Sequence, residues 1–468
     1  MFRYVDLVSD TIIAPITAPG HAGVAVLRLS GAKSLKWTQD LCSFLPDSPE
    51  SHKIYVGFLK SQSDEQPIDQ VVVSYFAKDR SFTGDEVVEI SCHGNPLIVN
   101  QITHQFLKLG ARSAERGEFS FRAFHNGKID LVQAESIQSL VMAPSQLGSG
   151  ESLDQLSGRL SESFSELEDH VVTAMAQLEA NIDFVEQDIE PDSYPAVEKY
   201  LEKFEKQILP LIDSYEVGKN LEKGFSFLLV GPANVGKSSL FNRIFNEDKA
   251  IVTDIAGTTR DLITDKTFFG HCVVEFTDSA GLRNSEDPIE KVGVEKTLEK
   301  WDQCHSALIV LDINEVHLDF LPENFPAKKG FFVFNKMDLL PDSDRGKRLS
   351  QLKDIFEQRN IPFDEMRCFF LSAKTGEGVE ALKLGLRKFL ESHHRDHGAM
   401  VTQARHFSHL KKAMEWVASA RDLLHQEESP DLISQELSGA LSEIHQLLGK
   451  EFEDNILDKI FSEFCIGK

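Results

Sequence analysis

Over residues 1–128, short apolar runs alternate with polar positions between Gly-rich turns: TIIAPI, GVAVLRLS, QVVVSYF and EVVEISCHG, with one helix expected over 97–109. Runs of period two bounded by turn formers read as half-buried strands, and strands mixed with a helix predict an α+β domain. From residue 129 the period changes. Leu153, Leu156, Leu160, Phe164, Leu167, Val171, Ala174, Leu178 and Ile182 recur three or four apart, on one face of a long helix or of a helix pair. The same period returns after residue 400 in Leu410, Met414, Val417 and Leu424, then in Leu437, Leu441, Ile444 and Leu448. Such stripes are bundle core. Neither segment makes a bundle alone, so the two are expected to pack together around an inserted domain whose ends are close.

The chain between them alternates apolar runs with helical stretches: FSFLLV, CVVEFTD, ALIVLD, GFFVFN and CFFLS. Apolar strands with crossovers predict a doubly wound parallel sheet, whose ligands bind at the carboxyl ends of its strands. The fold class is thus multidomain α/β. Residues 1–128 form an α+β domain, 129–219 and 386–468 the two parts of a discontinuous helical domain, and 220–385 a P-loop, Ras-like nucleotide domain.

Composition narrows the classes. A chain of 468 residues exceeds one core and suggests about three domains. No apolar run approaches the ~18 residues that cross a bilayer, and the N-terminus resembles neither a secretory signal nor a transit peptide, so a cytoplasmic location without membrane contact is expected. The six cysteines show no zinc spacing and read as reduced thiols, several of them buried in strands. The net charge of −25 argues against nonspecific binding to nucleic acid, so any RNA contact needs a local basic patch or a basic partner.

Chemistry sits at the strand ends. After FSFLLV come Gly231, Pro232, Ala233, Asn234, Val235, Gly236, Lys237, Ser238 and Ser239. Glycines let such a loop wrap phosphates with its N–H groups, Lys237 reaches the β and γ phosphates, and the Ser238 hydroxyl ligates magnesium. Asp278, Ser279, Ala280 and Gly281 end CVVEFTD, where the acid can hold magnesium's water and the glycine N–H meets the γ phosphate. Alone this motif is an ordinary turn. Asn335, Lys336, Met337 and Asp338 follow GFFVF. Guanine offers N1–H and N2–H₂ side by side, which one buried carboxylate at Asp338 accepts together; adenine lacks that pair. Ser372, Ala373 and Lys374 then offer backbone N–H to guanine O6. Four ordered motifs identify GTP. After the second motif, where Ras-like enzymes carry a water-orienting Gln, stands Leu282, so hydrolysis needs other assistance.

Asn234, the segment TDIAGTTRD at 253–261 and the terminal FCIGK at 464–468 together resemble the MnmE (TrmE) family of tRNA-modifying GTPases. So do GVAVLRLSG, FTGDEVVEISCHG and GEFSFRAFHNGKIDLVQAE, and the resemblance covers essentially the whole chain. It implies a potassium ion beside the phosphates, held by Asn234, Thr253, Ile255 and Thr258. Nucleotide contacts extend over Asp254, Ala256, Gly257 and Thr259, and magnesium falls to Ser238 and Thr259. Catalysis falls to Lys237 and to Glu290, which activates water from the stretch DSAGLRNSEDPIE. It further implies an N-terminal domain that binds 5-formyltetrahydrofolate, or the 5,10-methylene form, through Arg28, Glu89 and Lys128, with Lys468 approaching the same pocket. Cys465 lies near the one-carbon donor, with a buried structural thiol as the alternative. The implied assembly is a homodimer joined to the FAD-dependent partner MnmG as a heterotetramer. It would act on the wobble uridine of tRNA. GPANVGKS and DSAG depart slightly from the family's usual Pro-before-Asn and DTAG, without removing a ligand group.

Two other classes compete. An Era-like or Der-like switch in ribosome assembly explains the nucleotide motifs but neither the N-terminal resemblance nor the terminal CIGK. A structural dimer scaffold leaves a fully equipped nucleotide site unexplained.

Overall fold

The computed structural model describes Tyr4 and residues 8–184, 193–247, 264–269, 272–278, 304–321, 330–392, 398–452 and 454–468. Two compact units are present. One gathers 1–142, 152–212 and 405–468, and the other 143–151 and 213–404.

In the first unit, the alternating runs become strands β1 (Ile12–Pro15), β2 (Ala22–Ser30), β3 (Lys53–Lys60), β4 (Pro67–Phe76), β5 (Val87–Gly94) and β6 (Arg112–Ser113), in the order β3-β4-β5-β2-β1-β6. All pairs are antiparallel except β1 with β6. Helix α1 (Ser34–Leu41) and helix α2 (Pro96–Leu109) flank the sheet. The expected helix at 97–109 is therefore present, opened by Asn95, whose side chain accepts from Leu97 N, and by Pro96 at its first position. Leu27, Leu29, Val71, Val73, Val88 and Ile90 bury one face of the sheet against Trp37, Ile102 and Phe106. At roughly 25 cal/mol per Å² of apolar area, burial of this kind drives assembly of the layer. Strand β3 was not anticipated. Its alternation is inverted: Ile54, Val56 and Phe58 point outward at 67%, 59% and 53% exposure.

The helical part continues with α3 (Glu118–His125), α4 (Leu131–Met142), α5 (Gln146–Leu156), α6 (Arg159–Phe184) and α7 (Ser193–Lys223). The first stripe is thus a helix pair, broken at Ser157 and Gly158. The break resets the phase: Leu160, Phe164, Leu167, Val171, Ala174 and Leu178 are buried on α6, whereas Leu153 on α5 is 56% exposed. Helix α7 falls largely within the helical part expected over 129–219, beyond the stripe that marked it. Pro210 inside it argues against a continuous helix, yet Val197, Leu201, Phe204, Ile208 and Leu211 hold one buried face through it.

In the other unit, β7 (Phe225–Val230), β8 (Thr264–Phe269), β9 (Cys272–Asp278), β10 (Ser306–Asp312), β11 (Gly330–Asn335) and β12 (Cys368–Phe370) form a sheet of order β12-β11-β10-β7-β9-β8. It is parallel except for β8, which pairs antiparallel with β9 at the edge. Helices α8 (Lys237–Glu247), α9 (Arg345–Gln358) and α10 (Val379–Ser392) belong to this unit. The two cores on its faces are Phe-rich: Phe227, Phe276 and Phe331 on one, Phe332, Phe334 and Phe356 on the other.

The chain returns to the first unit through α11 (Ala404–His425), α12 (Pro430–Leu448) and α13 (Asp454–Ser462). Helix α12 packs on α6, so the early and late helical stripes do share one core. A buried triad ties α4 to the start of α11. Glu135 of α4 accepts from Arg405 Nε and Nη2, both at 2.8 Å, and lies 2.7 Å from His406 Nε2. Arg405 also donates to the carbonyls of Gln446 and Leu447, which end α12. No helix among the described residues is long and apolar enough to cross a membrane.

Candidate functional site

The nucleotide motifs converge at the carboxyl edge of the second sheet. Strand β7 ends at Val230, and the loop 231–236 turns into the N-terminus of α8 at Lys237. Two glycines make the turn possible. A Cβ on Gly231 would meet Val310 O at 2.1 Å, and one on Gly236 would meet Asn335 Nδ2 at 2.3 Å, with φ at +94°. Asn234 itself takes φ +62°, the left-handed conformation that Asn tolerates better than most residues. The N-terminus of α8 then points its unpaired N–H groups toward the loop, an anion site by geometry and dipole.

Lys237 is buried and its Nζ donates to Gly231 O and Pro232 O, both at 2.7 Å. Its charge therefore sits over the loop. Replacing Lys237 with Ala should lower GTP turnover by about 10²–10³-fold, the cost of removing one preorganised charge-stabilising donor. Phosphate release at saturating GTP measures it; turnover within tenfold of wild type would remove the lysine from catalysis. Ser238 and Ser239 are exposed at the start of α8.

The base-reading segment is cross-linked to the phosphate loop. Asn335 Nδ2 donates to Val235 O at 2.8 Å, and its Oδ1 accepts from Ala373 N at 2.8 Å. Lys336, at φ +68°, reaches back to Asp312 Oδ2 at 2.8 Å. Burial opposes ionisation of Asp312, but that lysine and the amides of Asn314 outweigh it and hold the carboxyl below its ordinary value. Asp338 accepts from Ser372 Oγ at 2.6 Å. It is exposed and not buried as expected, because it stands on a single 3₁₀ turn, Met337–Leu339, at the rim of the sheet. Asn234, Val235, Gly236, Lys237, Ser238, Asn335, Lys336, Asp338, Ser372, Ala373 and Lys374 thus belong to one edge. Asp278 closes β9 on the same sheet. Thr253, Asp254, Ile255, Ala256, Gly257, Thr258, Thr259, Ser279, Ala280, Gly281, Leu282 and Glu290 lie outside the described residues.

One contact at this edge has no signal in the sequence. Arg243, on α8, donates from Nη2 to Lys374 O at 2.6 Å and from Nε to Ala373 O at 3.3 Å. In sequence it reads as an ordinary surface charge on an amphipathic helix.

The N-terminal set gathers elsewhere, in the first unit. Arg28 of β2 faces Glu89 of β5 in register and bonds its Oε1 from Nε at 2.9 Å and from Nη2 at 2.8 Å. The guanidinium lies 5.3 Å from the Phe82 ring and 5.4 Å from the Phe119 ring. Phe119 N donates to Lys468 O at 3.1 Å, so the chain's last residue is fixed beside that ring. A bridge between Arg116 and Ile466, and Gly117 N donating to Cys465 O, hold the rest of the tail. Lys128 Nζ donates to Asp79 O, in the loop that also carries Phe82. Phe82 and Phe119, which lie beside Arg28, were not singled out in the sequence. Both stand inside segments that carry the family resemblance, but nothing in their spacing assigns them to Arg28.

On α3 itself, Arg122 and Glu118 form a buried ion pair. Arg122 donates to Asp10 O at 2.7 Å and to Glu118 Oε1 at 3.0 Å, and Arg112 bonds the same carboxylate. Cys465 is exposed, which rules out the buried structural thiol. Cys92, Cys272 and Cys368 are the thiols buried in strands. Burial pushes Cys92 up to about 11 and Cys368 up to about 12, so both stay protonated.

Comparison with known proteins decides the family. The model for the MnmE helical domain matches residues 131–465, and that for the GTP-binding protein TrmE N-terminus matches 11–128. The tRNA modification GTPase MnmE of Bdellovibrio bacteriovorus is 40% identical over 99% of this chain and 98% of its own. That of Christiangramia forsetii is 32% identical over 98% of this chain and 99% of its own. The chain belongs to the MnmE family of tRNA modification GTPases. As a member it is a GTP hydrolase, and the resemblance seen in CIGK and GTTRD holds over the full length. Among solved structures, the G domain of T. maritima FeoB is 22% identical over 35% of this chain and 98% of its own, at a TM-score of 0.24. Family membership over the whole chain leaves the ribosome-assembly reading without support.

Proposed function

We propose that this chain is a homodimeric, potassium-activated GTPase which, with the FAD-dependent partner MnmG, places a carboxymethylaminomethyl or aminomethyl group on carbon 5 of the tRNA wobble uridine. The one-carbon unit comes from 5-formyl- or 5,10-methylenetetrahydrofolate, and the nitrogen from glycine or ammonium. GTP hydrolysis drives nucleotide-domain dimerisation and conformational change. The chain works in the cytoplasm and divides at 128, 219 and 385, the helical domain resuming after the nucleotide domain.

The observation that carries the folate reading is Arg28. It pairs with Glu89 and lies within cation–π distance of both Phe82 and Phe119, and Phe119 N bonds the carbonyl of Lys468. Aromatic faces suit a flat pterin, a carboxylate suits its paired N–H donors, and cations suit a glutamate tail. For the metals, the donor chemistry fits. Asn234 is exposed at the loop with a neutral amide oxygen, which suits a large monovalent cation, and the exposed Ser238 hydroxyl suits magnesium. When bound, these cations neutralise charge developing on the phosphates. Thr253, Ile255, Thr258 and Thr259 complete the two sets, and Glu290 aligns the attacking water.

Support for the homodimer comes from β3. Its outward Ile54, Val56 and Phe58 form an apolar row on an edge strand, a surface that calls for a partner. The net charge of −25 assigns much of the tRNA grip to the FAD-dependent partner.

Calorimetric titration with 5-formyltetrahydrofolate tests the reading. Wild-type protein should bind saturably, and Arg28→Ala should weaken binding by about 10–100-fold, the loss of a charge-assisted contact. Absence of binding by well-folded protein would leave the GTPase standing and remove the one-carbon chemistry.

A further inference from the structure

We infer that Arg243 is a positioning residue for guanine, aiming the Ser372–Lys374 segment at the base from the helix that also carries the phosphate loop. The inference rests on the GTP reading of this site and deepens it.

The geometry is peptide planarity applied twice. In a trans peptide the carbonyl of one residue and the N–H of the next are coplanar and point in opposite directions. Arg243 Nε holds Ala373 O at 3.3 Å, which turns the Lys374 N–H away from α8. Its Nη2 holds Lys374 O at 2.6 Å, which turns the Thr375 N–H away, and that N–H is found on Ser372 Oγ at 3.2 Å. Ser372 Oγ in turn donates to Asp338 Oδ1 at 2.6 Å. Asn335 Oδ1 takes the Ala373 N–H at 2.8 Å. The segment is therefore gripped by its carbonyls from α8 and by its N–H groups from the base-reading motif.

Arginine suits the task. Its planar fork presents several donors at fixed angles, so two consecutive carbonyls can be held by one side chain. Lysine offers a single ammonium, and glutamine reaches less far. Arg243 lies six residues after Lys237, about 9 Å along the helix at 1.5 Å per residue. One rigid element thereby sets both the phosphate end and the O6 end of the nucleotide.

The experiment measures equilibrium binding of GTP and 6-thio-GTP to the full-length chain and to its Arg243→Ala and Arg243→Lys variants, by competition with a fluorescent GDP. The thio analogue keeps the N1–H and N2–H₂ donors read by Asp338 and replaces O6 with a poor acceptor. Wild-type protein should favour GTP by about tenfold, the worth of one well-placed hydrogen bond. Arg243→Ala should bind GTP about tenfold more weakly while binding 6-thio-GTP nearly as before, so that the preference falls below about twofold. Arg243→Lys, which keeps one carbonyl contact and the positive charge, should fall between. Equal weakening of both nucleotides would mean a merely structural clamp and would overturn the inference. So would an unchanged preference in Arg243→Lys if the alanine variant does not fold. Failure of wild-type protein to bind GTP at all would instead sink the underlying GTP reading.

Discussion

Asp338→Asn is expected to cost GTP about four orders of magnitude in affinity and to let xanthosine triphosphate take its place. Guanine presents two donors, N1–H and N2–H₂, to the Asp338 carboxylate. Asparagine keeps one acceptor and replaces the other with an NH₂, so a donor meets a donor and both are left unpaired in a closed site. Xanthine keeps N1–H but carries an oxygen where guanine has its amino group, which restores complementarity to the amide. The surroundings support a clean exchange. Ser372 Oγ, which donates to Asp338 Oδ1 at 2.6 Å, can donate equally to an amide oxygen. Asn335, which holds Val235 O and Ala373 N, is untouched. Competition binding with GTP and xanthosine triphosphate checks it. GTP affinity within tenfold of wild type would mean that Asp338 does not read the base.

Those nucleotide motifs were legible because each is local. A phosphate loop, an NKMD and an SAK are short runs whose chemistry follows from adjacent residues, and strand patterning placed each at a strand end. Arg243 was not legible for the opposite reason. Its two partners lie 130 and 131 residues away, and nothing on α8 distinguishes it from a solvated arginine. The N-terminal site shows the same divide. Arg28 and Glu89 came from family resemblance, but the Phe82 and Phe119 rings beside the guanidinium are brought in by a loop and by α3.

The fold divides in a related way. Strands with one buried face were read from alternation, and β3 was not, because it keeps Ile54, Val56 and Phe58 outside. A pattern rule assumes that apolar residues face the core of their own chain. Helix α7 lies beyond the apolar stripe named in the sequence. Pro210 inside it is a breaker by local propensity, but the buried residues before and after it anchor both halves of the helix, and packing outweighs that propensity. That the late helical stripe joins the early one was legible, since neither is sufficient alone. The residues that weld them were not.

Glu135→Leu should destabilise that weld by about 3–5 kcal/mol, the cost of removing one partner from a buried ion pair and leaving the other charged. Glu135 is 11% exposed, Arg405 17% and His406 fully buried, and the ring of Phe164 on α6 stands edge-on to His406 at 5.8 Å. Burial alone would raise the Glu135 pKa, but the charge of Arg405 and the His406 contact override it and hold the carboxyl well below the ordinary range. Burial dominates at His406 and lowers its pKa despite the neighbouring carboxylate. Both shifts act in one direction. Below ~6.5 the unfolded chain protonates its histidine while folded His406 resists, and below ~4.3 it protonates its glutamate while folded Glu135 resists. Stability from the triad is therefore complete above the first value and declines as pH falls through the window, steepening below the second. Because a chain of two units need not unfold in one step, amide exchange in peptides of α4 and α11 is the proper readout. Glu135 also holds the His406 pKa up, so Glu135→Leu starts lower but keeps the loss through the histidine window; what it lacks is the glutamate part. Wild-type protection should therefore fall more steeply than that of the variant below ~4.3. Equal slopes there would show that protonation of Glu135 is not what couples these helices to acid.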